Sequence, residues 1–537
     1  MSHAPFSPAG PSFRRRTFLT GAAGVSLLPF LSACGKHRPK RHNIVVGINI
    51  DPLFLTSAIS SDGPAQLVTS KIFDGLLTYG TDLQPQAALA VAWESAPDNR
   101  SLTLRLRPGV RWHDNQPFTS GDVAFSLTEL WKKYHSRGRT TFANVTAVHT
   151  PDDLTVVLEL SEPSPYILNA LGANESQVVP RHLYEGRDVL SNPANTQPVG
   201  TGPYRFQTWK RGSHITLERN PAYWRKDLPA ADQLIFRIIA DSASLAAAVE
   251  AGEVHIAPQL SPSDVERLAR IPQIVVDRTP RPFAVATLAL DFNLDLDKFR
   301  NVVLRRAIAH AIDREFILKT ILYGEGSIAT GPIPAALSAF YTSQVPDYAY
   351  SPAQANALLD GMGLTRGADG TRLSFTLDPT PTAGYSIQIA DYVRSALAEI
   401  GIRVVVRQQD FASFVKRLYT DRDFEAALVA AQMGPDPAIG MQRFYWSKSF
   451  HRGVAFANTA HYDSPAADAA LEAAQSAPDL ADRRRHYKDF QVIAQTDLPR
   501  IPLVDISTPL VYRDSVSGFE SGAAGIYEDY ASLRLKS

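Results

Sequence analysis

The chain has 537 residues, and its 54 Lys and Arg residues balance its 54 Asp and Glu residues, so the formal net charge at pH 7 is zero. Residues 1–41 hold seven of the basic residues and no acidic residue, so the remaining chain is mildly acidic and is not expected to bind nucleic acid. A single cysteine excludes an internal disulfide and a thiolate metal cage.

Residues 1–33 have the pattern of an export signal. Arg14, Arg15 and Arg16 precede an apolar stretch that is too short to span a bilayer. The order Arg-Arg-Thr-Phe-Leu is similar to the twin-arginine pattern, which implies export in a folded state. The alternative is an ordinary secretory signal that begins with three arginines.

The apolar stretch ends in Leu-Ser-Ala-Cys34, which resembles the bacterial lipobox. The resemblance implies that Cys34, the only cysteine, is acylated and becomes the new N-terminus. Residues 34–41 would then form a basic tether that contacts anionic headgroups, or else a solvated linker. We therefore predict an extracytoplasmic lipoprotein that is anchored to a membrane, in the periplasm or at the cell surface.

Strand and helix signals alternate along the first half of the body. A strand is predicted at residues 42–50, followed by a helix that opens at Asp62-Gly63-Pro64 and continues through Leu76. Strict alternation predicts a half-buried strand at 101–107, and Thr119 with Asp122 predicts a capping box. A hairpin at 204–219 and a helix at 242–251 follow, with short strands near 254 and 274.

A second series begins near residue 283. Helices are predicted at 301–312, 313–323, 351–361, 387–400 and 482–496. Strands are predicted at 402–406, at 424–430 and near 503. The alternation predicts an α/β fold in two large units, and no obvious linker separates them.

Several motifs, in order along the chain, resemble the dipeptide- and oligopeptide-binding family of ABC importers, the family-five extracellular solute-binding proteins. They are Ala90–Ser95 through Leu104–Asp114, Pro117–Val123, Gly200–Tyr204, Asn220–Trp224, Val303–Asp313, Tyr350–Leu359, Ile400–Ile402 and Leu498–Leu503. Together they cover the chain from about residue 42 to its end. Most of these residues also have structural roles, such as turns at Gly109 and Gly200, so the motifs identify the scaffold and not the cargo.

The resemblance implies a two-lobed periplasmic-binding-protein fold of class II, the large peptide-binding type, with a hinge between the lobes. Lobe I is expected to hold residues 42–276 and 504–537, and lobe II residues 277–503. The protein would capture a peptide or peptide-like solute and deliver it to ABC-transporter permease subunits, as a monomer, without a cofactor and without catalysis. The alternatives are a non-peptide solute (a sugar, a chelated metal or a natural product), a sensor with the same fold, and an extracytoplasmic hydrolase.

Dipeptide-binding members hold the ligand's amino group with an acidic residue about three positions before an Asp-Pro pair. Here that position is Met433, the tryptophan usual in this loop is missing, and Asp436 of the Asp-Pro pair remains as a candidate ligand contact. No arginine precedes the helix at 387–400, where dipeptide binders place one for the ligand carboxylate. These departures favour longer peptides, peptide-like products or a less polar cargo. Further candidates are Asn49, Asp51 and Asn293, which match lobe-facing loops of the family.

Patterns of enzymes and metal sites are weak. The hydrolase motifs Gly-x-Ser-x-Gly and His-Glu-x-x-His are absent, and Ser413-x-x-Lys416 lacks the partner motifs of penicillin-interacting enzymes. The run from Asp291 to Asp297 imitates a calcium loop, but Leu296 and Val302 stand where that loop needs Gly and Glu. We therefore predict neither a catalytic residue nor a metal ligand.

Overall fold

A computed structural model describes residues 42–135, 137–279, 281–381, 384–477, 479–519 and 522–536. Residues 42–537 form one compact unit. The export signal, Cys34 and the basic tether lie outside the described residues, so the predictions made for them stay predictions. Within the described residues, no helix combines the length and the apolarity needed to cross a bilayer.

The first sheet has seven strands and contains both early and late parts of the chain. Its order is Ile274–Asp277, Leu510–Arg513, Ile256–Ala257, Asn43–Ile48, Gln233–Ile238, His214–Arg219 and Tyr204–Lys210. Asn43–Ile48 is central and pairs in parallel with Gln233–Ile238. Its residues Ile44, Val46 and Ile48 are fully buried, so this strand carries the core face that its alternation predicts.

The second sheet has six strands from the middle of the chain. Its order is Ser327–Ile328, Arg500–Ser507, Val285–Phe292, Ala426–Gln432, Leu373–Pro379 and Ile402–Val406. Val285–Phe292 is antiparallel to both of its neighbours. It is buried at nearly every position, as expected for a strand that is covered on both faces.

A third sheet of four strands, Ala90–Ser95, Ser101–Leu106, Thr155–Leu160 and Val145–Asp152, is antiparallel throughout. Two small sheets pair Leu77–Tyr79 with Pro85–Ala87 and Val516–Ser517 with Arg534–Leu535. The α-helices are Gly63–Thr69, Ser120–Phe125, Gly138–Thr141, Arg181–Tyr184, Ser242–Glu250, Pro262–Leu268, Asp297–Arg300, Val302–Ala311, Arg314–Phe316, Pro352–Gly361, Gly384–Glu399, Phe411–Val415, Pro465–Ser476 and Leu480–Asp497. π-Helical segments continue three of these helices, at Ser126–Trp131, Ile317–Ile321 and Lys416–Asp421. 3₁₀ turns lie at Pro165–Ala170, Pro193–Asn195, Pro282–Ala284, Gln442–Phe444, Ser447–Ser449 and Gly525–Tyr527.

Several helix starts follow the capping rules. Thr119 and Asp122 form the predicted capping box, and the Ser351 side chain caps the helix that begins with Pro352. The first predicted helix, however, ends at Thr69 and does not reach Leu76. The reason is tertiary: the backbone carbonyls of residues 71 and 72 accept hydrogen bonds from the amides of Tyr204 and Gly202, at 3.1 and 2.8 Å.

The chain passes between the two large sheets twice, between Asp277 and Val285 and again between Ser507 and Leu510. The two crossings are brought together because Val285 pairs with Ser507. This arrangement agrees with two halves joined by two neighbouring segments. The predicted lobe limits at residues 276/277 and 503/504 stay a prediction.

Candidate ligand-binding cleft

A cleft of about 1060 Å³, including its open mouth, lies beside the two crossing segments. Ala284 and Thr508 of those segments line it. The side of the first sheet contributes Ile50, Asp62, Arg137, Gln259 and Tyr527, and the side of the second sheet contributes Ala286, Phe411, Gln432, Arg443 and Phe456. Ile50 follows the carboxyl end of a parallel strand, the edge at which α/β sheets commonly bind ligands.

Arg443 brings a buried positive charge to the cleft. Its side chain is 3 % exposed, and its Nε donates to the Gly440 carbonyl at 3.0 Å. A tight loop sets this position, because a Cβ on Gly440 would lie 1.7 Å from the Met433 carbonyl oxygen. Among the described residues, Nη1 of Arg443 has no acceptor. Burial, together with the charge of Arg137, lowers the pKa of Arg443 to about 9, so the side chain is still cationic at neutral pH.

Arg137 brings a second buried guanidinium to the same cleft and is 2 % exposed. Its Nε lies 2.9 Å from Oε2 of Glu175, while its Nη2 has no acceptor among the described residues. Burial raises the pKa of Glu175, and the two arginines act against that rise. Arg137 is therefore paired with Glu175, while Arg443 has no carboxylate partner among the described residues, and the group as a whole favours an additional anion.

Asp62 supplies a negative charge to the same cleft. It precedes the helix Gly63–Thr69. Burial raises its pKa from 3.8 to about 6, and the amide of Ala65 in the first turn of this helix opposes that rise in part. Tyr527 lies nearby, since its hydroxyl would be 3.3 Å from a Cβ on Gly63. A partly buried carboxylate that has no cationic partner among the described residues favours a ligand ammonium.

Gln432 and Tyr527 separate the cleft from a neighbouring polar cavity of about 770 Å³, which both residues also line. Nε2 of Gln432 donates to the Tyr527 hydroxyl at 2.7 Å. Gln432 ends a strand of the second sheet, and Tyr527 belongs to the C-terminal segment. This hydrogen-bonded pair connects the two sides of the cleft and forms the wall between the cleft and the neighbouring cavity.

The structure places Asp436 and Met433 in the scaffold beside the cleft. Both oxygens of Asp436 accept from Arg483, at 2.8 and 3.0 Å, and Oδ2 also accepts from Asn169 at 3.2 Å. Asp436 Oδ1 accepts from the amide of Ala438 at 3.0 Å, which agrees with the turn-capping role typical of an Asp beside proline. Met433 is 2 % exposed and belongs to a hydrophobic core cluster.

Asn293 follows the far end of the strand Val285–Phe292, seven residues beyond the cleft residue Ala286 and so roughly 23 Å from it along the strand. Its amide nitrogen donates to the Phe424 carbonyl at 3.0 Å, and its oxygen accepts from Arg422 at 2.7 Å. Both ends of this side chain are therefore used within the protein.

Asp51 and Asn49 flank the cleft residue Ile50. The Asp51 carboxylate accepts from Trp209 Nε1 at 2.9 Å and from the Gly212 amide at 2.8 Å, so it anchors the hairpin. The side-chain oxygen of Asn49 is buried without a donor among the described residues. Of the five predicted contacts, none lines the described cleft, and as ligand contacts all five stay predictions.

The sequence patterns did not identify Arg137, Arg443 or Glu175. Each lies in an irregular segment or a helix of at most one turn, where neither periodicity nor motif spacing singles out a residue. Asp62 was identified only as a helix start. Among the described residues, no group of three or more His, Cys, Asp and Glu side chains is placed to hold a metal ion.

Comparison with known families decides the class of the protein. The model of "Bacterial extracellular solute-binding proteins, family 5 Middle" matches residues 84–451. The chain belongs to this family. The family-five assignment and the predicted periplasmic-binding-protein fold are thereby confirmed, and family-five proteins are extracytoplasmic.

Relatives of the chain match it over nearly its whole length. It is 30 % identical to protein XP55 of Streptomyces lividans over 503 residues, which is 90 % of this chain and 87 % of that protein. It is 24 % identical over 514 residues to the glutathione-binding protein GsiB of Salmonella typhi, with 93 and 94 % of the two chains covered. The oligopeptide-binding protein AppA of Bacillus subtilis, solved with a nonapeptide, has a TM-score of 0.81 at 22 % identity, and the match covers 93 % of this chain and all of that one.

Proposed function

We propose that this family-five protein captures a peptide or peptide-like solute with a free carboxylate and delivers it to the permease of an ABC importer. The observation that carries the proposal is the pair Arg137 and Arg443, two buried guanidinium groups that line one cleft and retain N–H groups without an acceptor among the described residues. Glutathione and peptides, which the names of relatives give as their ligands, are carboxylates.

The cleft also fits the opposite end of such a ligand. Asp62 lines it without a cationic partner among the described residues, and an ammonium group beside it would restore its ordinary ionisation. A zwitterion bound in this way makes charge-assisted hydrogen bonds with both sides of the cleft, and therefore stabilises only the closed arrangement of the two halves. Closure occurs about the two crossing segments.

The test compares alanine peptides of two to five residues as free acids and as C-terminal amides. The free acid of at least one length raises the unfolding temperature. At a hundredfold excess over its dissociation constant, it stabilises the folded protein by about 3 kcal/mol. Its amide binds about tenfold or more weakly, because one charge-assisted contact is lost. Equal binding of acid and amide at every length contradicts carboxylate recognition. Mass spectrometry of the peptide recovered from the protein checks that the peptide is chemically unchanged after binding.

We also propose that Cys34 is acylated and holds the protein at a membrane as a monomer, after export through its twin-arginine-like signal. The support is the Leu-Ser-Ala-Cys34 sequence in a chain with no other cysteine. In cells that express the full chain, Cys34→Ala moves the protein from the membrane fraction to the soluble fraction. A variant that stays in the membrane fraction contradicts the lipid anchor.

A further inference from the structure

The cleft continues into a second chamber whose walls are apolar. This chamber has a volume of about 960 Å³, including its open mouth. It shares Ser61, Asp62, Phe411 and Phe456 with the cleft that holds the two arginines. The remaining wall is mostly apolar and includes Leu53, Phe54, Ile59, Tyr134, Val415 and Val454. The two chambers therefore form one continuous site with a charged end and an apolar end.

Two side chains of the apolar chamber are unusually exposed for their type. Leu53 is 61 % exposed and Tyr134 is 38 % exposed. Two cations also line the chamber: Lys133 is paired with Glu129 at 2.6 Å, and Arg139 is exposed to solvent. Apolar side chains held open to water inside a concave site favour an apolar ligand group.

An aromatic pair stands at the junction of the chambers. The rings of Phe411 and Phe456 stack at a centroid distance of 6.3 Å and an angle of 21°. Phe456 has a φ of 58°, a left-handed conformation that is costly for a residue with a bulky side chain. Strained residues of this kind cluster where a ligand is gripped.

A second cavity adjoins the cleft on the side of Gln432 and Tyr527. The neighbouring polar cavity lies behind the bonded side chains of Gln432 and Tyr527, which line both spaces. No such bond joins Phe411 and Phe456, which contact each other only through their rings. A ligand fixed by its carboxylate at the arginines therefore extends past Asp62 into the apolar chamber.

We infer that the cargo is an amphiphilic acid: a peptide or peptide-like carboxylate that carries a large aromatic or branched alkyl group, which the Leu53–Phe411–Phe456 chamber binds. This inference rests on the proposed function and narrows its substrate class. The carboxylate gives the ligand its orientation, and burial of the apolar group gives most of the selectivity among carboxylates.

The experiment uses the full mature protein and the alanine peptide that binds best, with a single phenylalanine placed at each position in turn. At least one phenylalanine peptide binds about tenfold tighter than its all-alanine parent, by calorimetric titration. In Phe411→Ser the ratio of the phenylalanine-peptide affinity to the parent affinity falls to about threefold or less, whatever the change in the parent's own affinity. Leu53→Asn lowers the gain about twofold to threefold, whereas Leu190→Asn, an equally exposed leucine away from the cleft, leaves it unchanged.

The outcomes separate the two proposals. If acid and amide peptides differ but phenylalanine adds nothing, or if its gain survives in both chamber variants, the apolar chamber is not a ligand site and the carboxylate proposal stands. If no peptide binds, or if acid and amide bind alike, the proposed function fails and this inference fails with it. Circular dichroism and the unfolding temperature of each variant show whether it is folded before binding is compared.

Discussion

The protein contains two groups of buried arginines, and the positive charge of each group is balanced in a different way. Arg483 is matched by one carboxylate, Asp436, through two hydrogen bonds, and burial is offset so far that the pKa of Arg483 lies above its ordinary value. Of Arg137 and Arg443, only Arg137 is paired with Glu175 among the described residues, and burial lowers the pKa of Arg443 to about 9. The first group is complete and holds the scaffold, while the second is incomplete and lines the cleft.

The difference shows how to distinguish a structural buried charge from a binding one. A buried ion pair adds little net stability, but removal of one partner is costly because the other charge is left alone. Where a native fold keeps a surplus buried charge, the compensating charge comes from outside the chain. Four variants test that comparison, from the largest expected effect to the smallest.

Arg483→Met leaves the fully buried carboxylate of Asp436 without its cation. We expect the free energy of unfolding to fall by about 3–5 kcal/mol, measured by urea denaturation at neutral pH. The double variant Arg483→Met with Asp436→Leu recovers much of this loss, because no unpaired charge remains. A single variant as stable as the wild type would show that this pair does not hold the scaffold.

Arg443→Met removes the surplus charge of the second group. The affinity for a free-acid peptide falls by about 1.5–3 kcal/mol, whereas unfolding changes by about 1 kcal/mol or less, because repulsion from Arg137 is relieved as the bond to Gly440 is lost. Arg394→Met, a change at an exposed arginine paired with Asp391, is the control and alters neither quantity. Loss of stability without loss of affinity contradicts the contrast between the two groups.

The variant Asp62→Asn tests the comparison through the pH dependence of the free energy of unfolding. The folded protein holds a proton on Asp62 up to about pH 6, above the ordinary pKa of 3.8, so ionisation of this carboxyl destabilises the empty protein increasingly between those values. At pH 7.5 the variant is therefore more stable than the wild type by about 1–3 kcal/mol, and at pH 4 the two are nearly equal. The same variant binds N-acetylated and free-amine peptides alike, if Asp62 receives the ammonium. Equal stability at both pH values would contradict the burial of an ionised Asp62.

Asn169→Ala gives the smallest expected effect. It removes one further side chain that hydrogen-bonds to Asp436, at 3.2 Å, and leaves the bidentate pair in place. Unfolding free energy falls by about 1 kcal/mol, measured in the same urea series. A loss as large as that of Arg483→Met would show that Asn169, and not the arginine, dominates this cluster.

Periodicity predicted the scaffold well. The strands at 101–107 and 402–406, the hairpin at 204–219 and the helix that begins at Pro352 match the structure within one to three residues, since each buries one face or begins with a capping residue. The helix predicted through Leu76 is shorter, because distant amides compete for its carbonyls. Local sequence contains no signal for that competition.

The cleft could not be predicted in the same way. Arg137 and Arg443 lie 306 residues apart, in segments without regular periodicity, and only packing of the whole fold brings both to one cleft. Family resemblance directed attention to Asp436 and Met433, in the loop just before Arg443. The turn at Gly440, which admits no side chain, links that loop to the arginine, and its reason is visible only in three dimensions.

The placement of Leu510–Arg513 has a consequence for folding while the chain is being synthesised. This strand lies inside the first sheet, between Ile274–Asp277 and Ile256–Ala257, although it is among the last parts of the chain to be made. Because Arg500–Ser507 belongs to the second sheet and Leu510–Arg513 to the first, neither large sheet can be completed until the chain has been made past residue 500. The two halves therefore complete their sheets with neighbouring strands of one segment, and a chain that is truncated before residue 500 leaves both sheets open.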